Sequence, residues 1–201
     1  MAKRSAPEVN AGSMADIAFL LLIFFLVTTT IETDSGISRK LPPIEDSPED
    51  VKIKQKNIFT VLLNGRDQLL VEDELMELKD LRPAAVKFLD NGGDGTCDYC
   101  NGTKDPSSSD NPDKAIISLK NDRETTYGVY ISVQNELVAA YNELRNRRAL
   151  ELGPAKGFGK MNFVEMESNY NNVNWGGNKT KLKEVIEQIK IEYPQKLSEV
   201  Q

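Results

Sequence analysis

From Ile17 to Ile31 the chain reads IAFLLLIFFLVTTTI, fifteen residues without a charge, and the residue just before this run is an aspartate, Asp16. As a helix the run extends only about 22 Å, whereas the hydrocarbon core of a bilayer is about 30 Å thick. Roughly five more residues are needed to cross. Taking them from the C-terminal side would draw in Glu32 and Asp34, two carboxylates at a few kcal/mol each. Taking Gly12, Ser13, Met14, Ala15 and Asp16 draws in one. The sequence therefore predicts a transmembrane helix over 12–31, with Asp16 about one turn inside the apolar layer.

An ionised carboxylate is costly at that depth, so a protonated, neutral form becomes accessible and the group acts as a switch rather than a fixed charge. At about 100° per residue, Thr30 returns to within about 40° of Asp16, with Leu20, Ile23 and Val27 between them on the same stripe. Thr30 and Ser13 are thus candidates for polar support facing a pore. The plainer reading of Thr30, a backbone-bonded threonine near a helix end, is favoured over a place on a proton path.

Two plainer readings compete. A basic start followed by an apolar run also describes a secretory signal peptide, but no small-x-small cleavage site follows Val27–Ile31, and a signal peptide gains nothing from Asp16. Alternatively Asp16 lies at headgroup level and only complements the helix dipole. Lys3 and Arg4 before the run and Glu32, Asp34 and Glu45 after it orient the N-terminus to the cytoplasm and the bulk of the chain to the periplasm.

The rest of the 201-residue chain is long enough for one small domain with additions. With no histidine, Ser-His and Cys-His nucleophile pairs and His-ligated zinc are unavailable; no phosphate-cradling glycine loop is present either. An enzyme is not expected, nor a cofactor or resident metal. A net charge of -6 argues against nucleic acid as a partner, since tracking a phosphate backbone needs a basic surface.

Residues 1–11 read as a cytoplasmic N-terminus, and 32–57 as a periplasmic tether with a short strand near Ile37–Leu41. An α/β domain is expected over 58–150. Ile58–Leu63, Asn64–Gly65 and Leu69–Val71 form a strand, tight turn and strand. Leu75, Leu78 and Leu81, then Pro83, suggest a helix broken or restarted at the proline. Ala115–Lys120 reads as a strand, and the spacing of Tyr130, Val133, Leu137, Val138, Tyr141 and Leu144 as an amphipathic helix. Together they predict a mixed sheet with helices on one side.

Within that domain, 91–113 is so rich in Gly, Asp, Asn, Ser and Pro that it reads as an exposed loop insertion. It carries the only two cysteines, Cys97 and Cys100. A single C-x-x-C is half a zinc site, and in an oxidising compartment a local disulfide is the expectation. In the C-terminal extension over 151–201, Leu182, Val185, Ile186 and Ile189 mark an amphipathic helix stopped by Pro194.

The order and spacing of Val9–Thr30, VNAGSMADIAFLLLIFFLVTTT, resemble the ExbD/TolR family of biopolymer-transport proteins, as do Arg39-Lys40-Leu41-Pro42 and the segment from Ala115 through Thr126-Tyr127-Gly128. The family's proline near Met14 is missing here. The resemblance implies a single-pass inner-membrane protein, homodimeric through its membrane helix and periplasmic domain. Its spans would lie in a ring of ExbB-like polytopic partners, it would energise a TonB-like protein, and Asp16 would be the proton relay. A different class of reading, also within the resemblance, is a passive anchored adaptor of the TolR type that binds peptidoglycan. A secreted binding protein is a third.

Overall fold

The computed structural model describes residues 11–28 and 53–200, in two units that are taken separately. The strand expected near Ile37–Leu41, the tether, the basic residues Lys3 and Arg4, and Thr30 all lie outside the described residues.

The first unit contains one helix, α1 (Ala11–Thr28). Ile17–Val27 is an unbroken apolar stretch, so every side of the helix there is apolar, and its large side chains from Met14 to Phe25 are exposed. Among the described residues no helix is long and apolar enough to cross a membrane; the 18 residues of α1 extend roughly 27 Å, short of the bilayer core by one turn or less.

The second unit is the α/β body anticipated from the sequence. Its five-stranded sheet has the order β3-β2-β1-β4-β5, with β1 (Ile58–Leu63), β2 (Leu69–Val71), β3 (Glu74–Met76), β4 (Ile116–Asn121) and β5 (Leu197–Val200). Strands β1, β2 and β3 form an antiparallel meander, whereas β4 runs parallel to β1 and β5 parallel to β4. Alternation explains which way the strands face. Phe59, Val61 and Leu63 of β1 and Ile117 and Leu119 of β4 are buried against α2 (Leu78–Leu89) and the long α3 (Tyr127–Lys156), where Leu81, Ala85, Phe88, Val133, Leu137, Tyr141 and Leu144 meet them.

Two local expectations change. Leu75 belongs to β3, not to a helix, because Glu72 and Asp73 turn the chain back with positive φ of 51° and 67° and let Leu70 pair with Leu75. Pro83 does not break α2, which runs straight through it. The backbone bond lost there is offset by burial of Leu81, Ala85, Phe88 and Leu89 on one face.

Helix α3 continues past 150 to Lys156, where Gly157 (φ 88°) takes the left-handed cap and Phe158 N–H returns to Gly153 O at 2.8 Å. A second core forms beyond this point. Phe163 and Met166 of α4 (Phe163–Asn171) and Leu182, Val185, Ile186 and Ile189 of α5 (Lys179–Glu192) pack around Ala149. Asn162 and Glu165 make a reciprocal capping box at the start of α4, and Asn178 caps α5. After α5 the chain places β5 on the sheet edge, an element the sequence pattern does not signal.

Candidate functional site

Asp16 sits in α1 directly ahead of the apolar stretch, exposed, with Ser13 one turn earlier on the same helix. Leu20 lies four positions after Asp16, and Ile23 and Phe24 follow on the next turn, all exposed apolar side chains. The helix therefore presents a single carboxylate against hydrocarbon-like surface. Asp16 is the one titratable group among the described residues of α1.

In the α/β body the insertion over 91–113 is exposed along 94–96 and 103–107, but it is anchored by nearly inaccessible residues: Asn91, Ser109, Asp110 and Asn111, with Asp90 just before it. The Asn91 side chain donates to Asp105 O and Ser109 O, both at 2.8 Å, and accepts from Asp105 N–H at 2.9 Å. Asp110 accepts from Lys54 at 3.0 Å, from Lys56 and from Asn57, and these donors hold its carboxyl well below the usual range. Cys97 and Cys100 are joined in a disulfide, and both are buried.

A polar node that sequence reasoning missed lies beside that disulfide. Arg147 donates to both carboxylate oxygens of Asp90 at 2.7 Å, Tyr193 Oη donates to Asp90 at 2.9 Å, and Asn101 N–H at 3.2 Å. Arg148 holds Glu192 at 2.6 Å, and its guanidinium lies 5.2 Å from the centre of the Tyr99 ring. Arg145 Nε donates to Tyr193 O at 2.9 Å, with its guanidinium 5.4 Å from the Phe163 ring. Burial pushes the Tyr99 phenol up to about 12, with the Glu192 carboxylate adding to it, so its hydroxyl stays a donor to Glu192 O. Burial and then Asp90 push Tyr193 up as well. The hydrogen bond to Asp90 holds Arg147 firmly protonated. The available signal was the Arg145, Arg147, Arg148 cluster on an otherwise amphipathic helix, which carries more charge than a solvent face requires.

An apolar helix bearing one acid, followed by a small mixed-sheet body, describes a class of two-part proteins. Residues 2–147 match the family described as Biopolymer transport protein ExbD/TolR, which is most of the chain. The chain belongs to the ExbD/TolR family, one of biopolymer-transport proteins rather than enzymes. It is also similar to Biopolymer transport protein exbD2 of Vibrio cholerae serotype O1, with 32% identity over 65 residues, covering 32% of this chain and 46% of that relative. The match thus spans less than half of the relative's length. The family match ends at Arg147, so α4, α5 and β5 lie beyond it.

Proposed function

We propose that this chain is the proton-coupled subunit of an ExbB–ExbD-type inner-membrane motor that powers TonB-dependent transport across the outer membrane. The observation that carries the reading is Asp16, the sole carboxylate in an otherwise apolar helix within a family of transport proteins. In this reading α1, together with the uncharged Thr29, Thr30 and Ile31 that follow it in sequence, spans the membrane once, with its N-terminus in the cytoplasm and the α/β body in the periplasm. Two copies associate through helix and body. Their spans sit inside a ring of ExbB-like polytopic subunits, and the body engages a TonB-like periplasm-spanning protein.

Mechanistically, Asp16 takes a proton from the outer side, becomes neutral, and can then move past apolar surface of the ring before releasing the proton inward. The membrane potential supplies about 2.3 kcal/mol per charge per 100 mV, enough to bias each step. Thr30 and Ser13 offer hydroxyls along the path. The test is energy-dependent uptake in cells carrying Asp16→Asn, which retains size and polarity but cannot exchange a proton. Uptake should collapse while membrane insertion and partner association persist. Normal uptake would instead favour a passive, peptidoglycan-binding adaptor of the TolR type.

A further inference from the structure

We propose that the Cys97–Cys100 disulfide is a redox-controlled latch that holds the C-terminal end of the chain, Glu192 through β5, against the α/β body. The disulfide encloses Asp98 and Tyr99. Tyr99 is the contact between the insertion and the end of α5: its hydroxyl donates to Glu192 O at 3.0 Å, and its ring meets the Tyr193 ring edge-on at 5.3 Å. Its carbonyl faces Arg147 and the Tyr193 hydroxyl, each at 3.5 Å. The residue after Cys100, Asn101, donates its N–H to Asp90, which also binds Tyr193. The closed ring thus aims the Tyr99 side chain and carbonyl at Glu192 and Tyr193, the two residues preceding Pro194.

What Glu192 and Tyr193 hold in place is the last strand. Tyr193 is buried, with its carbonyl gripped by Arg145. Lys196 O then accepts from Ile117 N–H at 2.9 Å, beginning the pairing of β5 with β4. A four-residue strand paired on one side at a sheet edge has little stability of its own. Besides its ladder with β4 it is held by Glu199, which accepts from Tyr130 and Gln134 at 2.6 Å, and by the anchor before it.

Reduction would disturb that anchor for a steric reason. Two thiols need more room than one disulfide, because the sulfurs leave bonding distance for van der Waals contact. On one side the pair is closely packed: a Cβ at Gly92 would lie 3.1 Å from Cys100 Cβ and 3.5 Å from both Cys100 Sγ and Cys97 Cβ. The displacement therefore falls on the Asp98–Tyr99 segment. The reductant is a dithiol: it loses two electrons and two protons to form its own disulfide, and Cys97 and Cys100 each gain one electron and one proton. A reductant would approach from the exposed Asp94–Thr96 turn that precedes Cys97.

The experiment is hydrogen exchange on the full chain in detergent, oxidised and after dithiothreitol, beside the C97S/C100S double variant and Tyr99→Ala with the disulfide intact. The latch predicts that dithiothreitol, the double variant and Tyr99→Ala each raise exchange across 192–200 and in β4, while β1 and β2 keep their protection. Unchanged protection of 192–200 in the double variant overturns the proposal. So does a loss of protection that extends equally to β1 and β2, since the disulfide would then support the whole fold. A disulfide that dithiothreitol fails to open in the folded protein overturns it too.

Discussion

Arg147 and Asp90, 57 residues apart, face each other through two parallel hydrogen bonds of 2.7 Å, and the Tyr193 hydroxyl closes on the same carboxylate. One pair therefore ties the end of α2 to α3 and to the end of α5. Arg147→Ala leaves the Asp90 carboxylate buried with its main counter-charge gone. Because the Arg147 side chain is 31% exposed, the expected loss is below that of a fully enclosed pair, about 2–3 kcal/mol. Urea unfolding of the isolated variant measures it. Arg147→Lys should recover only part, since an ammonium cannot make the two-pronged contact, and a variant as stable as the parent contradicts the assignment.

A second tertiary contact carries a pH dependence. Asp67, in the turn between β1 and β2, accepts the N–H of Thr126 at 2.8 Å and the Thr126 hydroxyl, fixing the residue that opens α3. Those hydrogen bonds lower its carboxyl pKa. A group depressed on folding contributes stability that is complete above its unfolded pKa, about 3.9, and is lost as pH falls through the folded value. Thermal melts should therefore show wild type above Asp67→Asn at neutral pH, with the two converging in acid. A gap independent of pH would sink the idea.

The β2–β3 turn stores strain that can be relieved. Glu72 and Asp73 both adopt positive φ, a conformation of type I′ hairpins that favours glycine or asparagine. Glu72 compensates by accepting the Thr60 N–H at 2.7 Å through its side chain, whereas Asp73 is exposed with no comparable role. Asp73→Gly should raise stability by about 1 kcal/mol, read as a higher melting temperature. An unchanged or lower one would show that Asp73 is not strained there.

The second core gives a test of how the extension is attached. Ile189 is wholly buried among Ala149, Phe163 and Met166, so Ile189→Ala should destabilise by about 2–4 kcal/mol. Hydrogen exchange should show the loss in α4 and α5 first, with β1 and α2 protected longer. Simultaneous loss everywhere would show that the two cores unfold as one.

The elements that the sequence displayed clearly are those whose periodicity had one cause. Phe59, Val61 and Leu63 alternate because one face of β1 is covered, and Leu182, Val185, Ile186 and Ile189 recur because one side of α5 is. The failures came where polar residues do structural work. Asn91, Ser109 and Asp110 look like solvated turn residues, yet each is buried: the Asn91 side chain donates to Ser109 O within the loop, the Ser109 hydroxyl donates to Phe88 O, and Asp110 N–H donates to the Asn57 side chain. The segment Leu197–Val200, with Ser198 and Glu199, lacks a strand's apolar alternation because it covers an edge, not a core. The Asp90–Arg147–Tyr193 node spans 103 residues, and no local pattern connects its members. Asp16 stands out in the sequence as a lone acid beside an apolar run, and its proposed role rests on that position.

Whether Asp16 exchanges protons can be read from proton flux. Vesicles holding this chain and an ExbB-like polytopic protein, given an inside-negative potential and an internal pH dye, should acidify with the native chain. They should stay flat with Asp16→Asn at equal incorporation, and Asp16→Glu should retain part of the flux. Equal acidification by the native chain and Asp16→Asn would contradict the account and remove Asp16 from the proton path.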